Sequence, residues 1–207
     1  MAENHWLIAG LGNPERKYLT TRHNIGWMVA AALCEKHRTD ILQKKKYYFK
    51  GEIKLRDERV LVILPITYMN NSGFAVAAAA KLYQIPPERI VAIFDEYNFP
   101  VGKIHLRKSG GDGGHNGLSS VIEHLCSAEF YRLRCGIGRN FDDGELVDYV
   151  LSDFFPDEIT GRDEMIRNSV EAIEYLILNN PAKAMSMVNS GKLFESADDS
   201  KGENIDS

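Results

Sequence analysis

The stretch Trp6-Leu7-Ile8-Ala9-Gly10-Leu11-Gly12-Asn13-Pro14 contains a continuous apolar run that ends in a glycine-rich loop. An uninterrupted apolar run of this length is typical of a β-strand that is buried on both faces, as in a parallel sheet. A second run of the same kind covers residues 90–94 and also leads into polar and turn residues. Both runs therefore predict buried strands of an α/β fold.

Helices and further strands alternate along the rest of the chain. Residues 25–37 place apolar side chains on one helical face, after an asparagine that could cap a helix. Residues 49–55 alternate between apolar and charged side chains and, with the apolar run 60–64, predict a hairpin. Further helices are expected at 74–83, at 118–126, from about 156 and from 181, and further strands at 103–107 and 132–137. This order predicts an α/β fold, a single-domain sandwich with a central mixed, largely parallel sheet flanked by helices.

The domain organisation is simple, because no repeat or linker divides the 207 residues. One folded domain is expected over residues 1–191. Residues 192–207 are mostly polar and acidic, with Leu193 and Phe194 at their start. Such a composition predicts a disordered tail.

Charge is distributed unevenly along the chain. The formal net charge is −4, from 25 basic and 29 acidic side chains. Residues 1–141 carry 20 basic and 13 acidic side chains, whereas residues 142–207 carry 5 and 16. The net charge of the first part is therefore +7, and a basic body keeps a nucleic-acid partner in consideration.

Several classes of protein are disfavoured by composition. The three cysteines, Cys34, Cys126 and Cys135, form no Cys-x-x-Cys pair, which argues against a disulfide scaffold or a zinc site built from cysteines. The apolar runs are much shorter than the ~20 residues of a membrane-spanning helix. No signal or transit segment is visible, so a cytoplasmic protein that does not bind membranes is expected.

The two glycine-rich loops do not match the common nucleotide-binding motifs. Glu15 stands where a dinucleotide fingerprint needs its third glycine. The second loop, residues 110–114, lacks the Gly-Lys-Ser/Thr ending of a P-loop. Glycines still allow a close approach of the backbone to a ligand, although tight turns alone would also explain them.

Polar side chains concentrate at or just beyond the ends of the predicted strands, the edge at which open α/β sheets bind ligands. They are Asn13, His23, Asn24, Asn70, Asn71, Asp95, His115 and Asn116. A histidine and an aspartate there can form a dyad, in which the carboxylate fixes the imidazole tautomer and the other ring nitrogen takes a proton from water. Asparagine amides supply neutral donors to an oxyanion. Turn and cap chemistry is the alternative for Asn24 and Asn71. No histidine spacing indicates a metal site.

Several motifs, in order, resemble those of bacterial-type peptidyl-tRNA hydrolases. The first comprises Gly10-Leu-Gly-Asn-Pro14, Tyr18, Thr21-Arg-His-Asn24 and Gly26. The others are Pro65-Ile-Thr-Tyr-Met-Asn-Asn-Ser-Gly73, Asp95, Gly102-Lys103, Leu106-Arg107, residues 110–118, and Arg132-Leu-Arg134 with Gly136-Ile-Gly138. The resemblance extends over residues 7–189. It implies hydrolysis of the ester that joins a peptide to the terminal ribose of a tRNA, which recycles chains released early from the ribosome.

The resemblance also implies roles for individual residues. His23 is expected to be the general base and Asp95 its orienting partner, with Asn70 and Asn116 as further catalytic residues. Substrate-binding positions are expected at Asn13, Tyr18, Tyr68, Asn70, His115 and Asn116, and tRNA-binding positions at Arg107, Lys108 and Arg134. Residues 142–155, the lid segment, resemble a cover over a peptide channel. No metal or other cofactor and no protein partner is implied, and a monomer acting on peptidyl-tRNA is expected.

Two residues depart from the family pattern. Glu96 stands where the family often has a second aspartate, and Asp112 places a negative charge in the second glycine loop. Two other functions are alternatives: a non-catalytic RNA-binding relative, which the intact His23 and Asp95 disfavour, and a metal-dependent amidase of small substrates, which sensitivity to chelators would reveal.

Overall fold

Seven strands form one mixed sheet in the computed structural model, which describes residues 5–198 of the chain. In chain order they are β1 (His5–Gly10), β2 (Gln43–Lys44), β3 (Tyr48–Leu55), β4 (Glu58–Pro65), β5 (Ile90–Glu96), β6 (Ile104–Lys108) and β7 (Tyr131–Gly136). The order across the sheet is β2-β3-β4-β1-β5-β7-β6. The pairs of β1 with β4, β1 with β5 and β5 with β7 are parallel, and the three outer pairs are antiparallel. The predicted mixed sheet flanked by helices is confirmed, but the expectation that it is largely parallel is wrong, because three of its six strand pairs are antiparallel and the parallel pairs are confined to the centre.

The first apolar run is the central strand of this sheet. Ile8 in β1 lies opposite Val62 in β4 on one side and Val91 in β5 on the other. Trp6 to Gly10 are all buried. Because both edges of β1 are paired and both of its faces are covered, its sequence from Trp6 onward has no polar positions that alternate with the apolar ones.

Seven α-helices cover the sheet within the described residues. They are α1 (Ile25–Lys36), α2 (Ser72–Leu82), α3 (Asn116–Leu125), α4 (Leu146–Val150), α5 (Ile159–Leu178), α6 (Pro181–Asn189) and α7 (Lys192–Asp198). The apolar faces of α1, α5 and α6 form one core with one face of the sheet. The apolar faces of α2 and α3 form a second core with the opposite face. The predicted long amphipathic helix is α5, which follows a 3₁₀ turn at Pro156–Glu158.

The prediction of a disordered tail from Lys192 onward is wrong for its first part. Helix α7 begins at Lys192, Leu193 is buried in the first core and Phe194 packs against it. Two adjacent apolar side chains therefore attach this turn to the domain, a contribution that the polar composition of the segment concealed. The rest of the predicted tail, 199–207, lies outside the described residues.

Glycine allows α1 to lie directly against the ends of the central strands. A Cβ atom at Gly26 would lie 2.3 Å from the carbonyl oxygen of Ile93 and 2.6 Å from that of Leu11. The amide of Leu11 donates a hydrogen bond to the same Ile93 oxygen at 2.9 Å. This close contact places the turn before α1 beside the carboxyl ends of β1 and β5.

None of the helices within residues 5–198 combines the length and the apolar character that crossing a membrane requires.

Candidate active site

Two histidines meet one buried aspartate at the carboxyl end of β5. Nδ1 of His23 lies 2.8 Å from Oδ1 of Asp95, and Nε2 of His115 lies 3.0 Å from the same oxygen. His23 belongs to a 3₁₀ turn, Arg22–Asn24, that connects the first glycine loop to α1. His115 precedes the first residue of α3. The sequence predicted that these residues share one edge of the sheet, and the structure brings them into direct contact.

The hydrogen-bond partners determine which ring nitrogens carry protons. Nδ1 of His115 accepts a bond from the amide of Leu118 at 3.1 Å, so Nε2 of His115 carries the proton that points to Asp95. An ionised carboxylate only accepts, so Nδ1 of His23 also donates to Asp95. The Nε2 atom of a neutral His23 is therefore unprotonated and able to accept a proton.

The same contacts shift the pKa values of the pair. Burial alone would raise the pKa of Asp95, but the attraction of His23 and His115, with their hydrogen bonds, outweighs burial and holds this pKa well below its usual range. Burial would lower the pKa of His23, whereas the charge and hydrogen bond of Asp95 raise it, and the net shift is upward. The carboxylate thus stays ionised, and the imidazole is more basic than an ordinary histidine.

Asn13 is held in place by Asn24. The amide of Asn13 donates to Oδ1 of Asn24 at 2.9 Å, and Nδ2 of Asn24 donates to the carbonyl of Asn13 at 2.9 Å. Oδ1 of Asn13 accepts from the amide of Met69 at 2.8 Å. Asn24 makes no side-chain cap bond to α1, so its function here is to fix the loop. With its oxygen engaged, Asn13 has its amide NH₂ group available for a ligand.

A cavity of about 400 Å³ opens above the two histidines. Its wall includes Asn13, Tyr68, Asn70 and Asn116 of the predicted substrate-binding set. The histidine cluster contributes His23, Asp95 and His115 to the wall. The lid segment contributes Leu146, Val147, Val150 and Leu151. One side of the cavity is therefore polar and the other, formed by α4, is apolar.

Tyr68, Asn70 and Asn116 lie on exposed parts of this wall. Asn70 is in a 3₁₀ turn, Met69–Asn71, that leads into α2, and Asn116 is the first residue of α3. Tyr68 has a φ of 60°, which is unusual for a residue with a side chain, and its hydroxyl donates to Glu15 at 2.9 Å. These positions allow all three side chains to contact a molecule in the cavity.

Tyr18 is not among the residues that line the cavity. It ends a 3₁₀ turn, Arg16–Tyr18, in which its carbonyl accepts bonds from the amide and the hydroxyl of Thr21. The ammonium group of Lys17 lies over its ring, 4.6 Å from the centroid. In the structure Tyr18 therefore supports the turn that precedes His23 rather than the cavity wall.

Two of the three predicted tRNA-binding residues share one face of the sheet. Arg107 pairs with Arg132 and His105 pairs with Arg134 across the antiparallel strands β6 and β7, so these four side chains project to the same side. Lys108 pairs with Tyr131 and lies over its ring on the opposite side. Arg107, Arg132 and Arg134 line a second cavity of about 270 Å³, which shares Glu96 and Asp112 with the first.

Two of the three arginines of this second cavity, Arg132 and Arg134, are engaged within the protein. Nε and Nη2 of Arg134 donate to one oxygen of Glu96 at 3.1 and 2.6 Å, and its guanidinium lies 4.6 Å from the ring of Phe99. Arg132, which the sequence reasoning did not single out, is buried and donates to the carbonyl of Gly110 at 2.7 Å. Burial and the charge of Arg107 lower the pKa of Arg132 to about 10. Arg132 thus fixes the second glycine loop.

His23, Asp95 and His115 are ligand types that could hold a metal ion, and their ligand atoms lie within 4.8 Å of one another. The hydrogen bonds do not suit this role. A neutral imidazole that binds a metal through Nε2 carries its proton on Nδ1, but Nδ1 of His115 faces the N–H of Leu118. The arrangement fits a proton-transfer site better than a metal centre.

Comparisons with known proteins agree with the resemblance noted in the sequence. A sequence model of the peptidyl-tRNA hydrolase family matches residues 7–196. A peptidyl-tRNA hydrolase of Symbiobacterium thermophilum is 42% identical over 186 residues, which are 89% of this chain and 98% of that protein. One of Dichelobacter nodosus is 40% identical over 185 residues, 89% and 98% of the two chains. The crystal structure of peptidyl-tRNA hydrolase from Acinetobacter baumannii has a TM-score of 0.84 at 34% identity and covers 92% of this chain and 97% of that one.

Proposed function

Because this chain belongs to the peptidyl-tRNA hydrolase family of enzymes, we propose that it hydrolyses the ester bond of peptidyl-tRNA and releases free tRNA and free peptide. The observation that carries this proposal is the pair of His23 and Asp95, 2.8 Å apart, at the base of a cavity with one polar and one apolar side. We expect the enzyme to act as a monomer in the cytoplasm, without a protein partner.

In the proposed reaction, Nε2 of His23 takes a proton from a water molecule while the water oxygen bonds to the ester carbonyl carbon. Asp95 stabilises the imidazolium that forms. The tetrahedral intermediate then breaks its bond to the ribose oxygen, and His23 returns the proton to that oxygen. The products are a peptide with a free carboxyl group and a tRNA with a free hydroxyl. A positioned general base contributes about 10²–10⁴ to the rate of such a step.

Asparagines complete the proposed site without adding a competing base. Asn116 is proposed to position the water and the peptide backbone, and Asn70 to hold the peptide near the scissile carbonyl. An amide donor aimed at the developing oxyanion contributes about 10²–10³ in rate. His115 is proposed to support Asp95 rather than to exchange protons with the substrate, since both of its ring nitrogens are already hydrogen-bonded to the protein. No metal is required for this chemistry.

The two ends of the substrate are proposed to lie on different sides of the cavity. The apolar wall formed by α4 suits a peptide, and the arginine face with Arg107 and Arg134 suits RNA phosphates. Contacts to phosphates rather than to base edges would allow one enzyme to act on every tRNA. Lys108 lies on the opposite face, so we leave it out of the proposed phosphate contacts.

The test is a turnover assay with N-acetyl-aminoacyl-tRNA. We expect hydrolysis by the wild type and a loss of about 10³-fold or more in His23→Ala. His37→Ala is the matched control, because His37 pairs with Glu174 outside the cavity and its substitution is expected to leave the rate unchanged. An inactive wild type would favour the non-catalytic RNA-binding alternative. A zinc-selective chelator, added with Mg²⁺ present to keep the tRNA folded, should have no effect, whereas inhibition would favour the metal-dependent amidase.

A further inference from the structure

Arg22 precedes the proposed catalytic base and is completely buried. Its Nη2 atom lies 2.7 Å from a carboxylate oxygen of Glu158, and its Nη1 donates to the carbonyl of Ile137 at 3.1 Å. Its guanidinium lies over three aromatic rings, those of Tyr149, Phe154 and Phe155, at 4.4, 4.9 and 4.8 Å from their centroids. All three rings belong to the lid segment, residues 142–155.

The backbone around Arg22 is attached to the same segment. The amide of Arg22 donates to the carbonyl of Ser152 at 2.9 Å, and Thr21 forms an isolated antiparallel bridge with Asp153. The hydroxyl of Thr20 donates to Asp153 at 2.7 Å. The turn that carries His23 and the C-terminal half of the lid segment are thus joined by both backbone and side chains.

The two groups that Arg22 contacts, the carbonyl of Ile137 and the carboxylate of Glu158, also bind the lid segment directly. The carbonyl of Ile137 also accepts the hydroxyl of Tyr149 at 2.7 Å, and the carboxylate of Glu158 also accepts the amide of Phe155 at 2.8 Å. Arg22 therefore lies where the C-terminal end of α4 and the residues that follow it are fixed. An apolar side chain could fill the space, but it could not reach a carbonyl and a carboxylate together or stack on three rings.

The consequence for the cavity is direct, because α4 supplies its apolar wall. Leu146, Val147 and Val150 of α4 and Leu151 after it line the cavity opposite the histidines. Stability is a weak reason to bury an ion pair, since the cost of removing two charges from water offsets most of their attraction. A buried arginine adjacent to the base and under the lid is better explained by geometry.

We propose that Arg22 is a positioning residue for the lid segment. It holds α4 at the distance from the histidines that leaves room for the side chain of the peptide. The inference rests on the proposed hydrolysis of peptidyl-tRNA and assigns Arg22 to substrate affinity, not to proton transfer. His23 makes its own bond to Asp95, whereas the guanidinium of Arg22 is directed to Glu158 and the carbonyl of Ile137.

The experiment compares two substrates on Arg22→Lys. Lysine keeps a positive charge near Glu158 but loses the planar group that stacks on the rings. For N-acetyl-phenylalanyl-tRNA, whose side chain would contact the apolar wall, we expect KM to rise about tenfold, with kcat and the acid limb of the pH profile unchanged. For N-acetyl-glycyl-tRNA, which has no side chain to place there, we expect KM to change by less than about twofold. Arg167→Met, an exposed arginine on α5, is the control and should alter neither value.

Hydrogen exchange tests the positioning without any substrate. In Arg22→Lys the amides of residues 145–155 should exchange faster, while those of β1 and β5 keep the wild-type rate. Phe155→Ala provides a second variant that does not disturb the core, since Phe155 is 43% exposed, and it should show a smaller effect in the same direction. If no variant hydrolyses either substrate and the wild type is also inactive, the proposed function fails, and the exchange result still decides whether Arg22 holds the lid segment.

Three results would overturn the inference. Unchanged KM values with unchanged exchange would show that the lid segment does not depend on Arg22. Faster exchange in β1 and β5 as well as in residues 145–155 would show a general loss of stability instead. A lower kcat with a shifted pH profile would show that Arg22 acts on His23.

Discussion

Oδ1 of Asp95 lies 2.8 Å from Nδ1 of His23, and the same carboxylate oxygen lies 3.0 Å from Nε2 of His115. The carboxylate is 4% exposed, so water cannot replace the histidine as its partner without opening the site. This single contact determines the tautomer of the base and the direction in which its pKa moves.

The pH dependence of catalysis should follow from that contact. A base must be neutral to act, and the pKa of His23 is raised above the ordinary histidine value of 6.5, so kcat/KM should increase with pH through a midpoint above 6.5. In Asp95→Asn the lowering effect of burial is no longer opposed. The midpoint should then fall below 6.5, and kcat should fall about 10⁴-fold because the tautomer is no longer fixed. A pH–rate profile of both proteins measures this, and equal midpoints would contradict it.

The two ring nitrogens of His115 should contribute separately, one to stability and the other to catalysis. Its Nδ1 caps α3 through the amide of Leu118, and its Nε2 bonds to Asp95. Asparagine is a good helix cap that would not reproduce the bond to Asp95, whereas alanine lacks both functions. We expect His115→Ala to be less stable than His115→Asn by about 1 kcal/mol in urea unfolding, and both to have a reduced kcat. Equal stabilities of the two variants would mean that the cap contributes nothing.

The salt dependence of substrate binding should differ between variants on the two faces of the β6–β7 pair. Arg134→Ala should weaken binding of substrate and make the slope of log K against log[salt] shallower by about one unit, because one phosphate contact is lost. Lys108→Ala is the matched control, since Lys108 lies on the opposite face. The measurement is a titration of substrate analogue at several salt concentrations. An unchanged slope in Arg134→Ala, or an equal change in both variants, would remove Arg134 from the proposed contacts.

Two glycine substitutions should change stability in opposite directions. In Gly26→Ala the new methyl group would meet two backbone oxygens at 2.3 and 2.6 Å, so α1 must move, at a cost of about 3 kcal/mol or more. In Gly161→Ala, within α5, the nearest atom would be 3.7 Å away, and the better helix propensity of alanine should stabilise the protein by about 1 kcal/mol. Urea unfolding of the two variants beside the wild type is sufficient. Similar effects of both would show that α1 adapts to the added group.

Some of the site could be predicted because it depends on local pattern and sheet topology. Asn13 follows the apolar run that forms β1, and Asp95 directly follows the run in β5. These strands are adjacent and parallel, so their carboxyl ends lie at the same edge of the sheet. The position of Lys108 was also open to prediction, since consecutive residues of a strand point to opposite faces. Arg107 and Lys108 could not both face the same phosphates.

Other parts depend on contacts between distant segments and leave no local signal. Arg22 bonds to the carbonyl of Ile137, 115 residues further along the chain, and reads in the sequence as an ordinary charged residue. Arg132 donates to the carbonyl of Gly110, which lies 22 residues earlier in the chain and on the other side of α3. The bond of His115 to Asp95 likewise depends on the path of the second glycine loop. In each case the partners of a buried polar side chain lie on segments that only the complete fold brings together.

The central position of β1 also has a consequence for biosynthesis. β1 precedes both of its partners in the chain, β4 and β5, which end at Pro65 and Glu96. At roughly 5–20 residues per second, β1 therefore waits several seconds for the second of its neighbours. In that interval the local β3–β4 hairpin can form, but Asp95 is not yet at the sheet edge that carries Asn13. The cavity is therefore completed only after β5 has joined the middle of the sheet and the residues of α3 and α4 that line it have followed.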